Sequence, residues 1–164
     1  MNRTRTITWS DPRLTAEAGR EVAGLDLLRA IRDGAVPPPP FAELVCVSMA
    51  EVEPGRVVMR MTPAEYHYNP IGSVHGGILA TLLDSVMGCA VHSTLPKGRA
   101  YTSLEIKVNY IRAVTDDSGE LSAEGRIVHG GRRSAVAEGS VVDAKGRLCA
   151  TASTTCLVFD LPAG

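Results

Sequence analysis

Between Tyr66 and Pro96 the chain carries one formally charged side chain, Asp84, with histidine taken as neutral. Stepping about 100° per residue from Gly77, Ile78, Leu79, Leu82, Leu83, Val86, Cys89 and Ala90 form one broad apolar arc. The opposite line reads Gly77, Thr81, Asp84, Gly88. A helix facing solvent would carry Lys, Glu or Arg along that line. These residues predict a helix covered on both sides, with something approaching its small face closely. The window also holds Asn69, Pro70 and the histidines 67, 75 and 92, and no run in the chain approaches the length of an apolar membrane span.

The segments around this helix read as strands. "AELVCVSMAEVE" (42–53) and "RVVMRMTP" (56–63) flank the turn dipeptide Pro54-Gly55 and predict a hairpin. After the helix comes "YTSLEIKVNYIRAV" (101–114), whose alternation puts Leu104, Ile106, Val108 and Tyr110 on one face and Glu105, Lys107 and Asn109 on the other. Residues 119–131, 132–146 and 147–159 complete the set, with turns at Gly130-Gly131 and Lys145-Gly146. Two short strands, one long helix and four longer strands predict an α+β fold with an antiparallel sheet.

Upstream, residues 15–33 have Val22, Leu25, Leu27, Leu28 and Ile31 near helical spacing and stop at Gly34. One amphipathic helix is expected there, followed by the stiff connector "VPPPPF" (36–41). About forty residues are too few for a second core. Residues 1–40 are therefore expected to lie on the main domain, residues 41–160, as a helical extension and Pro-rich connector. At 164 residues the chain fits one core of useful size.

Charge and spacing exclude several functions. A net charge of −1 lacks the cationic excess of a sequence-independent nucleic-acid binder. The opening "MNRTRTITW" has two arginines with no apolar stretch behind them, which does not read as a secretory signal. Cys46, Cys89, Cys149 and Cys156 show no C-x-x-C spacing and are expected as reduced, mostly buried thiols of a cytoplasmic protein. The four histidines have no paired spacing, so no metal is expected.

The chemistry concentrates on the helix. Gly76 and Gly77 sit at its probable start, where backbone N–H groups lack intrahelical partners and the dipole favours developing negative charge. An anionic tetrahedral intermediate or an enolate suits that place. Asp84 lies about two turns on, roughly 11–12 Å along the axis. That is too far to act on the same small group within one chain, unless the substrate lies along the helix or a second subunit intervenes. An isolated helical Asp can also simply cap a loop or pair with an arginine.

"NPIGSVHGGILATLLDSVMG" resembles the signature of the hot-dog-fold thioesterases, in the branch related to the phenylacetate-pathway (PaaI-like) thioesterase. That family has Asn, then His-Gly-Gly six residues on, then Asp nine residues past the His; here these are Asn69, His75-Gly76-Gly77 and Asp84. The likeness runs through "GRAYTSLEIKVNYIRAV" and "GRRSAVAEGSVVDAKGRLCATAS", over roughly residues 40–159. It implies a hot-dog fold, with an antiparallel sheet wrapped around one long central helix. It also implies a homodimer or homotetramer whose helices lie side by side.

The resemblance implies the roles as well. The Gly76 N–H, with Gly77 assisting, would polarise the carbonyl of an acyl-CoA or aryl-CoA thioester. Asp84 of the partner chain would act as general base or nucleophile. Asn69 would hold water or the departing sulfur, Ser103 (or its neighbour Thr102) the carboxylate, and His75 the loop or a proton. Gly77, Arg132, Arg133 and Ser134 would meet coenzyme A, which is substrate here, so no separate cofactor is implied; Pro96-Lys97-Gly98-Arg99 is a second basic candidate. A hot-dog hydratase or dehydratase, and a non-catalytic acyl-thioester binder, are the alternatives.

Overall fold

The computed structural model describes residues 2–162. Its centre is helix α4, Gly76–His92, and its frame is one six-stranded antiparallel sheet in the order β1-β2-β4-β5-β6-β3. The strands are β1 Val47–Glu53, β2 Arg56–Met61, β3 Arg99–Tyr110, β4 Leu121–Gly130, β5 Ser134–Val142 and β6 Leu148–Asp160. β1 and β2 form the expected hairpin, with Glu53 opposite Arg56 across the turn. α4 then carries the chain from β2 to β3 on the far edge, crossing the sheet's inner face.

That crossing explains the helix's composition. Leu79, Leu82, Leu83, Val86 and Ala90 are buried, as the apolar arc predicts, and Met87, Gly88 and Val91 are buried as well. A fully buried Leu or Val contributes about 1.5–3 kcal/mol relative to exposure, so this helix anchors the core. The α+β hot-dog arrangement is thereby present, with the sheet curved around one long helix. No helix among the described residues is long and apolar enough to cross a membrane.

Three local expectations need correction. The helix expected over 15–33 is two helices, α1 Pro12–Glu21 and α2 Gly24–Arg32. Asp11 caps α1 by accepting the Arg13 N–H at 3.0 Å, but Val22 is extended. The Gly24 N–H then donates to Leu95 O at 3.0 Å, and a Cβ on Gly24 would lie 2.0 Å from His92 O. Docking onto the end of α4 thus overrides local periodicity. The strand expected from residue 42 begins at Val47, because Pro40 starts a short helix, α3 Pro40–Val45, that ends at Cys46 in the left-handed region (φ 57°).

The third correction concerns β3. Ser103 pairs with Cys156 and Glu105 with Thr155, so Leu104 is an extra residue, a β-bulge. Strict alternation would turn Tyr101 and Ser103 away from Tyr110. The bulge shifts the parity, and Tyr101, Ser103, Val108 and Tyr110 all lie on the α4 side, with partners Val158, Cys156, Ala152 and Ala150 buried. Leu104 itself points out and is exposed.

Candidate active site

α4 and β3 lie against each other, and the contact between them builds the site. Near the C-terminal part of α4, a Cβ on Gly88 would fall 2.3 Å from the Tyr101 hydroxyl. At the helix start, a Cβ on Gly76 would fall 2.9 Å from the Tyr110 ring, whose hydroxyl donates to Gly76 O at 2.9 Å. Of the small line, Gly88 is therefore met by a tyrosine of its own chain, and Gly76, next to that line, is met by a second. Both glycines signalled a large neighbour, but only the bulge allows tyrosines nine residues apart to face the same way.

Between the tyrosines, Ser103 donates its hydroxyl to Asp84 Oδ1 at 2.7 Å. This resolves Ser103 against Thr102, which is exposed. Asp84 is half-buried and, among the described residues, joins no ion pair. Its surroundings are neutral. Burial first, and the Asp84 carboxylate second, push the Cys89 thiol up to about 12. Burial, then Cys89 and Asp84, hold the Tyr101 phenol well above its ordinary value. Asp84 lines a cavity of about 760 Å³ with Thr81, Ser85, Cys89, Tyr101 and Met49 around it.

The helix start is built differently. His75 is the N-cap, and its Nδ1 accepts the Gly77 N–H at 2.9 Å. That donor is engaged, so Gly77 cannot assist at a carbonyl as expected. No acceptor among the described residues meets the Gly76 N–H. Asn69 organises its own loop: its Oδ1 accepts from Ile71 N (3.0 Å) and Ser73 N (3.3 Å), while Nδ2 donates to Ser73 Oγ (3.2 Å). Asn69, Gly76 and Tyr110 line a second cleft of about 320 Å³. No residue lines both cavities.

The remaining candidates lie elsewhere. Arg132, Arg133 and Ser134 are exposed beside the shallow cleft formed by Thr94, Leu95, Pro96, Gly131 and Ala135, at the C-terminal end of α4. Within one chain they are at the opposite end of the helix from Gly76. Of the second basic group, Lys97 pairs with Glu21 at 3.0 Å and Arg99 donates to Arg132 O at 2.6 Å. Met87 and Val91 belong to the core; Tyr68 donates to Asp116 Oδ1 at 2.6 Å, and Tyr66 lies under the Arg5 guanidinium. None of these four lines either cavity. The four cysteines are free thiols, and Cys46 is exposed.

Comparison with known proteins gives a consistent picture. The family model described as "Thioesterase superfamily" matches residues 71–150. The proofreading thioesterase EntH of Klebsiella pneumoniae is 31% identical over 61% of this chain and 72% of its own. Human acyl-coenzyme A thioesterase 13 is 32% identical over 40% of this chain and 46% of its own. The chain spans less than two thirds of the first curated relatives it matches, 65% and 46% of their lengths. Among solved structures, a conserved protein of Pseudomonas aeruginosa superimposes with a TM-score of 0.70 at 35% identity, covering 74% of this chain and 95% of that one.

Proposed function

This chain belongs to the thioesterase superfamily, and we propose that it hydrolyses acyl-CoA or aryl-CoA thioesters to the free acid and coenzyme A. The observation that carries this reading is the Asp84 carboxylate, free of any cationic partner among the described residues and held by Ser103 at the edge of a largely apolar cavity. Burying a carboxylate partway without an ion pair is costly, and a general base repays that cost in reactivity.

In the proposed reaction, Asp84 takes a proton from water as the water oxygen bonds to the thioester carbonyl carbon. The carbonyl oxygen becomes an oxyanion and accepts the unused Gly76 N–H, aided by the helix dipole. The tetrahedral species then collapses: the C–S bond breaks, and the thiolate leaves and takes up the proton. Asp84 and Gly76 line separate cavities and lie roughly 12 Å apart along α4. A complete site therefore takes Gly76 from one chain and Asp84 from another, in a homodimer or a tetramer of two such dimers.

Side-by-side antiparallel helices would also bring Arg132, Arg133 and Ser134 toward the partner's helix start, where guanidinium groups suit the phosphates of coenzyme A. Asn69 holds the donor loop, and its remaining Nδ2 hydrogen can reach the water or the sulfur. His75 acts as cap. That role disfavours a hydratase reading, which needs the imidazole as a proton carrier. The free thiols suit a reducing, cytoplasmic setting.

The test is Asp84→Asn, near isosteric, assayed by thiol release from a panel of acyl-CoAs. The expected result is a fall in kcat of about 10²-fold or more with unchanged folding. Activity within a few-fold of wild type would remove Asp84 from the mechanism. An acyl–enzyme adduct trapped by hydroxylamine would replace the general base with a nucleophilic carboxylate.

A further inference from the structure

Resting on the thioester reading above, we infer that the N-terminal extension is the distal wall of the acyl-binding cavity and that the substrate's acyl group is large and apolar. The 760 Å³ cavity does not end at α4 and the sheet. Its lining also includes Leu28 and Ile31 of α2, then Pro38, Pro39, Phe41 and Ala42. Arg32 and Glu43 supply its other charges. The volume is that of a site for a sizeable ligand, far beyond what an acetyl group fills.

The wall is fixed rather than draped. α2 is pinned at its start by the Gly24 N–H on Leu95 O, and Leu28 is 3% exposed. The connector is tied back by Thr15 Oγ1 donating to Pro37 O at 2.8 Å. Arg5 donates to Glu43 O (2.8 Å) and Leu44 O (3.0 Å), holding the end of α3. Four prolines between residues 37 and 40 stiffen the span between them. With the carbonyl at Asp84, the tail runs away from the helix toward Ile31 and Phe41. Met49 and Met59 on the intervening strands supply adaptable apolar surface.

Because each buried methylene favours binding by about fourfold, acyl length reads the wall directly. kcat/KM is measured for acetyl-, hexanoyl- and decanoyl-CoA with the full chain, with Ile31→Trp, with Ile31→Ala, and with Arg29→Ala on the exposed face of α2. S-ethyl-CoA and S-decyl-CoA thioethers, which cannot be hydrolysed, are titrated calorimetrically against the same proteins. The expected result is that Ile31→Trp lowers the decanoyl/hexanoyl ratio at least about tenfold, Ile31→Ala raises it, and Arg29→Ala leaves it unchanged.

Should Ile31→Trp not fold, Ile31→Ala decides alone. Hydrolysis with ratios unmoved by either Ile31 variant overturns the wall and leaves the thioesterase reading standing. No hydrolysis by wild type, with tight S-decyl-CoA binding that Ile31→Trp weakens and S-ethyl-CoA binding that it does not, removes the hydrolytic reading and keeps the wall. Equal binding of both thioethers by wild type overturns the inference.

Discussion

The start of α4 and its middle are built on opposite plans. At the start the chemistry is backbone: an unused N–H at Gly76, in a cleft of about 320 Å³ shaped by a loop that Asn69 and His75 hold together. In the middle the chemistry is one side chain: Asp84, oriented by Ser103, beside an apolar cavity of about 760 Å³ closed by the N-terminal extension. The first half has a donor and no base. The second has a base and an apolar chamber, and its backbone N–H groups are spent inside the helix. Each is chemically incomplete, and both depend on the same strand, β3, through Tyr110 on one side and Ser103 with Tyr101 on the other.

The bulge at Leu104 is what lets one strand serve both halves. Inserting one alanine after Leu104, with the bulge kept, slips Tyr101 and Ser103 by one residue and turns them to the outer face relative to Tyr110, since a one-residue slip flips every side chain beyond it. This change has the largest expected effect: loss of kcat by more than about 10²-fold, with a clear fall in Tm. An insertion variant with wild-type activity would show that the two halves do not share β3 in this way.

Gly88→Ala separates packing from chemistry. Its Cβ meets the Tyr101 hydroxyl at 2.3 Å, so a destabilisation of about 1–3 kcal/mol is expected by denaturant unfolding. Tyr101→Ala in the same chain should cancel much of it in a double-mutant cycle. Additive losses would mean the two residues do not press on each other. Ser103→Ala is smaller in stability and confined to the middle half: kcat should fall about tenfold as Asp84 loses its hydrogen bond, with KM little changed. A change in KM alone would assign Ser103 to substrate binding instead.

The sequence shows some of this directly. The Asn69, His75-Gly76-Gly77 and Asp84 spacing and the apolar arc of residues 78–90 locate the helix and the residues of both halves of the candidate site, because those signals are local and periodic. Three other features are not local, and a fourth is a local choice of rotamer. α2 is set by Gly24 docking on Leu95, and the expected 15–33 helix gives no sign of that contact. The Tyr101–Gly88 and Tyr110–Gly76 contacts join residues 13 and 34 positions apart, and a bulge that alternation does not announce decides them. Gly77 is lost as a donor because His75 turns its ring back to cap the helix, a choice of rotamer. The N-terminal wall of the cavity is a tertiary packing of segments that read only as an extension.

The central claim is that the donor of one chain works with the carboxylate of another, and subunit mixing tests it most directly. One parent is Asp84→Asn. The other carries Gly76→Pro, which removes the N–H at a position where proline suits a helix start, together with Tyr110→Ala to make room for the ring. Each parent should be nearly inactive. In a mixed dimer, one site gathers both defects and the other has an intact Gly76 and an intact Asp84. Activity should return to about half of wild type per mixed dimer. If differently tagged parents form mixed dimers, established by native mass spectrometry, and these stay as inactive as the parents, then Gly76 and Asp84 do not act across chains and the account is wrong.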